Sequence, residues 1–356
     1  MRIIQYILFS VFLLIFTISC EREMVPQYEI NEERLISFST TEDVWPEITK
    51  AAISEIGDLY GDGFSVWGNW ADDTYEVKDI FGSSGVIVSA TDKDNDNDFE
   101  PGVAGSSDSW EYEDKKGWNV GHHSFAAVLP SSANIPGTLS STFSKTTNEG
   151  IQYLTYKNTL TLNLGPGFDL SENQTDVMCA FQNVDNSNSD ASIVQLDFRH
   201  LFSTIDVKLN INIPFASQGI AVTNVKLYGI HKSIKGTLQI QNEVTYNSEN
   251  IKTSEALISS IADCFDASNI STAAAPYYEQ SYTAGEGFNY SGVSIMIVDD
   301  LLVYPETFSE DLQLYIVIEL FKQDKTKAIS AKVSSGGWRP GESNTYILQV
   351  DPSIFN

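Results

Sequence analysis

The sequence predicts an all-β protein built as two β-sandwich domains in series. Helix signals are sparse, whereas short alternating runs recur between clusters of Gly, Asn, Asp and Ser, as in strands that are joined by turns. Phenylalanine and tyrosine, which favour strands, are plentiful at 19 and 16 residues. The chain has 356 residues, which allows about two domains at roughly 150 residues each.

Alternation is cleanest over residues 193–213. Even-numbered positions are apolar up to Phe198, and odd-numbered positions are apolar from Ile205 onward. Because successive side chains of a strand point to opposite faces, an unbroken strand would turn its apolar face to solvent. We therefore expect a bulge or short bend near residues 199–203.

The segment just before this stretch, residues 183–192, is rich in Asn, Ser and Asp and is the predicted domain boundary. The N-terminal sandwich is accordingly assigned to residues 35–188 and the C-terminal sandwich to residues 189–356. Cys179 and Cys264 fall on opposite sides of this boundary, each in an apolar neighbourhood. One disulfide is arithmetically possible, but two buried free thiols are the preferred interpretation.

The N-terminus resembles a lipoprotein secretion signal. Arg2 supplies a positive start, and the apolar run 3–18 is too short for a comfortable membrane span. The run closes with a serine before Cys20, as in a bacterial lipobox, where the cysteine becomes the acylated N-terminus. We predict a signal peptide over residues 1–19 and a lipidated tether over 20–34 that anchors the chain in the outer membrane. An ordinary signal peptide or a single membrane anchor is the alternative.

The remaining elements follow from short apolar or alternating runs that are bounded by turn residues. In the first strand, 35–39, Ile36 and Phe38 alternate with serines, so one face is expected in the core. Residues 312–321 are apolar on both faces, which is typical of a central strand, and 328–333 is the expected partner. Other strands are predicted at 63–70, 85–90, 110–112, 124–129, 159–164, 176–181, 293–298, 301–304 and 346–350.

Two local structures in the second half are also predicted. Residues 222–230 and 237–240 flank a turn and indicate a hairpin. Residues 254–265 indicate a short helix.

Composition and motifs argue against most kinds of chemistry. A net charge of −27 disfavours nucleic acid and anionic membrane surfaces as partners of the folded part. His122 and His123 are adjacent, so on a strand they face opposite ways and cannot chelate one metal. No catalytic motif and no cofactor site is recognised. His200, at the change of register, is expected to hydrogen-bond buried backbone.

One acidic run leaves an alternative open. Aspartates alternate at residues 92–98, a spacing of oxygen ligands that suits Ca²⁺. An EF-hand loop would need Gly and Glu where Asn97 and Val103 stand. An acidic loop without metal is the preferred interpretation, and a calcium-bound loop is the alternative.

Short motifs are spread in order over nearly the whole chain. They are the cysteine of the lipobox, Ile36-Ser37-Phe38, Thr49-Lys50-Ala51, FSVWGNW at 64–70, Trp110-Glu111-Tyr112, Lys116-Gly117-Trp118, SFAAVLP at 124–130, DVMCA at 176–180, LDFRHL at 196–201, and Trp338-Arg339-Pro340-Gly341 with Tyr346. In this order and spacing the chain resembles the fimbrillin family, the shaft and tip subunits of type V pili of Bacteroidales-type bacteria.

The resemblance implies two transthyretin-like sandwiches and a lipidated precursor that reaches the cell surface and assembles with other fimbrial subunits. In many relatives an Arg- or Lys-specific protease removes the first strand, and a neighbour's strand fills the groove that is left. Arg34 and Lys50 are the nearest candidate processing sites, although neither lies in a distinctive motif. After the last predicted strand only Ile354 and Phe355 are apolar, which favours a tip or accessory position over a repeating shaft position.

We therefore predict a structural and adhesive subunit of a surface fimbrium, with no catalysis and no cofactor. The alternative is a monomeric surface lipoprotein that binds glycan through its tryptophan-rich first half, because aromatic rings can stack on sugars. The five tryptophans of that half are Trp45, Trp67, Trp70, Trp110 and Trp118. A glycosidase would need a defined pair of carboxylates, and nothing in the sequence singles out such a pair.

Overall fold

The protein is described by a computed structural model over residues 34–40, 63–93, 108–131, 135–172, 174–188, 191, 193–211, 219–261, 264–265, 275–282 and 294–355. Within these ranges the regular elements are β-strands, together with short 3-10 turns. The all-β fold predicted from the sequence is therefore confirmed.

The strands are numbered in chain order. The first half contains β1 (Ser37–Thr40), β2 (Phe64–Ala71), β3 (Lys78–Asp79), β4 (Val86–Thr91), β5 (Ser109–Glu111), β6 (His122–Leu129), β7 (Gly137–Asn148), β8 (Ile151–Asp169) and β9 (Met178–Asp185). The second half contains β10 (Ile193–Leu196), β11 (Arg199–His200), β12 (Ser203–Ile211), β13 (Ala221–Tyr228), β14 (Ser233–Asn247), β15 (Lys252–Ser260), β16 (Tyr278–Ser281), β17 (Ser294–Val303), β18 (Leu314–Lys322), β19 (Lys325–Val333) and β20 (Ser343–Val350), followed by a 3-10 turn at Pro352–Phe355.

A nine-stranded sheet contains most of the first half. Its strand order is β10-β1-β5-β4-β2-β6-β9-β11, with β3 attached to β2. Strand β6 is buried along its whole length, as its apolar sequence predicts. Phe125 and Ala127 belong to one cluster of buried residues, whereas Ala126 and Val128 belong to another. Both faces of this sheet are therefore covered at β6.

A second sheet joins the two halves of the chain. Its order is β15-β14-β8-β7, and the long strands β8 and β14 are antiparallel from Ser233↔Asp169 to Asn247↔Tyr153. Two strands that follow residue 188, β10 and β11, also pair within the nine-stranded sheet. The division into domains after residue 188 stays a prediction, and these pairings show that strands from its two sides share sheets.

The second half adds two smaller sheets, β17-β12-β20 and β16-β13-β18-β19. Ile205, Val207 and Leu209 of β12 are fully buried, as the alternation predicts. The expected break in register is confirmed, because the chain leaves β10, forms the short β11 and enters β12 with its apolar phase reversed. The predicted pairing of residues 312–321 with 328–333 is confirmed as β18 with β19.

Two local predictions are wrong. The helix expected over 254–265 is largely strand, because β15 pairs with β14 through eight residue pairs and gains its backbone hydrogen bonds there. The hairpin expected from 222–230 and 237–240 does not form. Strand β13 pairs with β16 and β18, whereas β14 pairs with β8 and β15, so neighbours in sequence lie in different sheets.

Cys179 and Cys264 are both free and buried, so the preferred interpretation of two separate thiols is confirmed. Burial raises the pKa of the Cys179 thiol to about 12, which makes it unreactive at neutral pH. Most of the alternating aspartates lie outside the described residues, so the calcium alternative stays open.

Candidate functional site: the first strand and its surroundings

Strand β1 occupies an interior position in the nine-stranded sheet. It runs parallel to β10, with Ser37↔Ile193 through Thr40↔Leu196 as partners. On its other side Phe38 is the antiparallel partner of Trp110 in β5. A strand with neighbours on both sides contributes ladder hydrogen bonds to two strands, so its loss would leave two unpaired edges.

The apolar face of this strand is buried as its alternation predicts. Ile36 is 1% exposed and Phe38 is 5% exposed, whereas Ser37 and Ser39 are half-buried. The Phe38 ring contacts the rings of Tyr112 and Phe125, with centroid distances of 5.6 and 6.1 Å. The first strand therefore supplies part of the aromatic core of the sheet.

The residues that lead into the strand are also held by backbone hydrogen bonds. The Ile36 amide donates to the Lys116 carbonyl at 2.8 Å, and the Trp118 amide donates to the Arg34 carbonyl at 2.9 Å. The Tyr112 hydroxyl donates to the Ile36 carbonyl at 3.0 Å. These bonds order the chain from Arg34 onward.

The three residues predicted for lipidation and processing are not brought together by the described structure. Cys20 and Lys50 lie outside the described residues, and both assignments stay predictions. Arg34 begins the described chain, and Leu35 beside it forms an isolated bridge with Gly117. A protease would have to break these backbone contacts to reach the Arg34–Leu35 bond.

The described tryptophans do not form the exposed platform that the alternative of glycan binding requires. Trp67, Trp110 and Trp118 are 3–7% exposed, and Trp45 lies outside the described residues. Trp70 is half-buried, and Lys78 Nζ lies 5.0 Å from the centroid of its ring. The rings pack in cores because their size contributes more buried area there than at the surface.

The four histidines have distinct environments. His122 and His123 face opposite sides of β6, as their adjacency predicts. His200 Nδ1 lies 2.6 Å from Asp176 Oδ2, so a buried carboxylate is one partner of this ring. His231 Nδ1 lies 3.1 Å from Glu306 Oε2, and burial raises the pKa of that carboxyl.

His123 makes the stability of the protein sensitive to acid. Its ring is fully buried beside the rings of Trp118 and Phe125, at centroid distances of 4.9 and 6.2 Å. Burial lowers the pKa of His123 to about 4. Below pH 6.5 the unfolded chain binds a proton at this residue while the folded chain does not, so stability falls as the pH falls towards 4.

We expect His123→Phe to remove this part of the acid sensitivity. Between pH 7 and pH 4.5 the free energy of unfolding of the wild type should fall by about 2 to 3 kcal/mol more than that of the variant. Urea unfolding at the two pH values measures this difference. His123→Gln is the control, since it also cannot titrate. Parallel pH profiles for all three proteins would show that another group is responsible.

Three aspartates form the one acidic cluster found among the described residues with ligand atoms close enough to hold a metal. The carboxylates of Asp206, Asp299 and Asp300 lie within 4.8 Å of one another. Both oxygens of Asp206 already accept hydrogen bonds, from the Asp300 amide at 3.0 Å and from Thr345 Oγ1 at 3.1 Å. These bonds give the cluster a structural role at the irregular pairing of β12 with β17.

Comparison with known proteins decides the family. The family model for fimbrillin-like proteins matches residues 68–355, which is most of the chain. The chain belongs to the fimbrillin-like family. Membership supports a fimbrial and adhesive role, assembly with other fimbrial subunits and a location at the cell surface. It indicates a structural protein rather than an enzyme. The resemblance found in the sequence is therefore confirmed.

Three of the solved structures that are similar to this chain are described as candidate cell adhesion proteins from Bacteroides species. The one from B. uniformis ATCC 8492 has 11% identity and a TM-score of 0.41, with 91% of this chain and 94% of that chain covered. The one from B. fragilis NCTC 9343 has 10% identity and a TM-score of 0.38, with 90% and 93% covered. The one from B. thetaiotaomicron VPI-5482 has 12% identity and a TM-score of 0.31, with 88% and 92% covered.

The comparison with curated proteins finds no match. In the described part of this fimbrillin-like chain, no helix has both the length and the apolar character needed to cross a membrane.

Proposed function

We propose that this fimbrillin-like protein is a tip or accessory subunit of a surface fimbrium, exported as a lipidated precursor and joined to its neighbour by strand exchange. The observation that carries the proposal is the interior position of β1, with Ile36 and Phe38 in the core. The strand is short and precedes the other strands of the described residues, so its removal would open a groove without cutting any of them.

The groove that β1 would leave has the chemistry of a strand acceptor. Its walls are the backbone edges of β5 and β10, and its floor includes the buried rings of Phe64, Trp110 and Phe125. An extended segment with apolar side chains at alternate positions could restore the ladder and bury those rings again. We propose such a segment from another fimbrial subunit as the occupant.

Lys50 is the better candidate for the cut that would release the strand. It follows β1 in the sequence, so cleavage there separates β1 from the rest of the chain. Arg34 precedes β1, and cleavage there would leave β1 attached. The hydrogen bond from the Trp118 amide to the Arg34 carbonyl also protects the Arg34–Leu35 peptide bond from cleavage.

The 3-10 turn Pro352–Phe355 packs against its own chain. Phe355 is 6% exposed and belongs to the large core of this chain, and Ile354 packs against the same core. Lys322 Nζ lies 5.9 Å from the centroid of the Phe355 ring. Because these side chains already pack on their own chain, they are a poor source of a strand for a neighbouring subunit.

The test of this function is native cleavage by a Lys-specific protease. We expect residues 21–356 to be monomeric before digestion, to be cut at Lys50, and to bind a second copy or a co-expressed fimbrial subunit once β1 has left. Mass spectrometry and light scattering measure the cut and the size, and Lys50→Arg is the uncut control. Release of β1 without any new binding would show that strand exchange is wrong for this protein.

Lipid attachment at Cys20 has its own expected outcome. Cys20→Ala should abolish incorporation of labelled palmitate and release the chain from the outer membrane, since three acyl chains hold far more strongly than one. The folded part should keep the wild-type unfolding midpoint, because Cys20 precedes the first strand. Palmitate labelling equal to that of the wild type would refute the assignment, and Cys264→Ala is the control for loss of an unrelated cysteine.

A further inference from the structure

A pocket of about 330 Å³ lies outside the surroundings of β1, at one end of the β15-β14-β8-β7 sheet. There the tip of the β14–β15 hairpin approaches the ends of β6 and β9. His122 of β6 is paired with Asp185 of β9, and Tyr153 of β8 is paired with Asn247 of β14. The pocket is therefore built from two different sheets, and neither sheet alone would form it.

Aromatic rings form much of its wall. Tyr75, Tyr153, Tyr246 and His122 all line the pocket. The Tyr75 ring lies parallel to the His122 ring, with a centroid distance of 5.8 Å and an interplanar angle of 4°. The Tyr246 ring packs edge-on against Tyr156 at 5.7 Å. Four of the thirteen residues that line the pocket are thus aromatic.

These rings rest on a small hydrophobic core of their own. Ala71, Phe143 and Tyr156 form a buried cluster that is separate from the two larger cores, and Tyr75 and Tyr246 pack against it. The Phe143 and Tyr156 rings meet edge-on, with centroids 5.4 Å apart. The cluster holds the two wall tyrosines in fixed orientations before any ligand arrives, which reduces the entropy lost on binding.

The backbone at Tyr75, in the wall of the pocket, has a strained conformation. Tyr75 has φ of +60°, in the left-handed region that bulky residues rarely adopt. Its amide donates to the Asp72 carbonyl at 2.9 Å, and Asp72 Oδ1 accepts from the Thr74 amide at 2.9 Å. Strained residues of this kind persist where their surroundings hold them, and they cluster at ligand sites.

Polar groups complete the lining. Asp185 Oδ1 accepts from the Ser187 amide at 3.0 Å and lies 3.5 Å from His122 Nδ1. The hydrogen bond from His122 holds the pKa of Asp185 below its usual range, so the carboxylate is an ionised acceptor. The amides of Gln152, Asn247 and Asn250 also line the pocket. An amide side chain can both donate and accept hydrogen bonds.

From these features we infer that the pocket binds one unit of a neutral glycan. A sugar ring has an apolar C–H face that suits the flat tyrosine rings, and hydroxyl groups that both donate and accept. The volume lies at the low end of the ~300–1,000 Å³ of small-molecule pockets, which suits a single sugar. The charged side chains of the lining are Asp73, Asp185 and one lysine, Lys145, and the chain carries −27, so the field at the pocket disfavours acidic sugars.

The inference that this glycan is the ligand of an adhesive subunit rests on the proposed function. Binding of the glycan itself does not require assembly of the fimbrium. The test is binding of purified residues 21–356 to an array of neutral, sialylated and sulfated glycans, followed by titration with the free neutral sugar that scores highest. We expect binding to neutral glycans alone. Tyr75→Gly, which relieves the left-handed strain, and Tyr153→Ala should each weaken it at least tenfold.

Tyr315→Ala is the matched control, because Tyr315 is also half-buried but lies in β18, in another sheet. It should bind as the wild type does. Gln152→Ala changes an exposed side chain of the pocket. Its glycan affinity tests the pocket if a tyrosine variant is unfolded. No binding to neutral glycans, binding only to acidic ones, or equal binding by the pocket variants would overturn the inference. Assembly after proteolysis is measured separately, so either proposal can fail alone.

Discussion

The double substitution Ile36→Ala with Phe38→Ala is expected to detach the first strand. Ile→Ala and Phe→Ala in well-packed cores cost about 2–5 and 3–5 kcal/mol. Ile36 and Phe38 are 1% and 5% exposed and lie two positions apart on one face, so their effects are coupled. The combined loss approaches the whole stability of a typical domain, about 5–15 kcal/mol.

The expected result is a sharp fall in the urea midpoint of the first-half sheet and exposure of its aromatic core to a hydrophobic dye. A synthetic peptide of residues 34–40 should bind the double variant and restore the midpoint, because it supplies the missing ladder and side chains. A peptide with aspartate at both apolar positions should not. Ser39→Ala, on the half-buried face of β1, is the control and should stay within about 0.5 kcal/mol of the wild type.

This experiment separates a structural strand from an exchangeable one. Recovery by the peptide in trans would show that the position between β5 and β10 accepts a separate strand. A folded double variant with a midpoint near that of the wild type would show that β1 contributes little. A collapsed variant that no peptide rescues would show that β1 is needed for folding and is not replaceable.

Asp176→Ala is expected to be the most damaging single change of a charged residue in the first half. The Asp176 carboxylate is 1% exposed and lies 2.6 Å from the ring of His200, which is 7% exposed. Removal of one member of a buried pair leaves the other without its partner, at a typical cost of about 3–5 kcal/mol. The pair lies where β11 pairs with β9. Its loss should therefore destabilise the segment that connects β11 to β12.

Asp197→Ala is the matched control. Asp197 pairs with Arg199 at 3.4 Å, and both side chains are substantially exposed. A surface pair of this kind contributes about 0–1 kcal/mol, so the control should be nearly as stable as the wild type. Asp176→Asn should lie between the two, because the amide keeps the size and one acceptor. Equal urea midpoints for Asp176→Ala and Asp197→Ala would contradict the role given to the buried pair.

Local pattern was enough to predict several parts of the fold. Alternation placed Ile36 and Phe38 on the buried face of the first strand, and Ile205 and Val207 on the buried face of β12. The reversal of phase around residue 200 predicted the break between β10 and β12. These features depend on which face of a strand is apolar, and that information is carried by residues close together in the chain.

Partners of the buried histidines could not be predicted. Asp176 is 24 residues from His200, and Glu306 is 75 residues from His231. The chain contains 48 acidic residues, and the local sequence does not single out these two as the partners. A buried histidine indicates that some partner exists, but its identity depends on which strands are brought together.

The all-β class, the family, the apolar face of the first strand and the break in register could all be read from residues close together in the chain. The pairing of β14 with β8, the strand at residues 252–260 and the tyrosine-lined pocket between two sheets are known from the folded molecule alone. The physical reason is that alternation specifies which side of a strand is buried, whereas the neighbour that supplies its hydrogen bonds is chosen by packing between residues far apart in the chain.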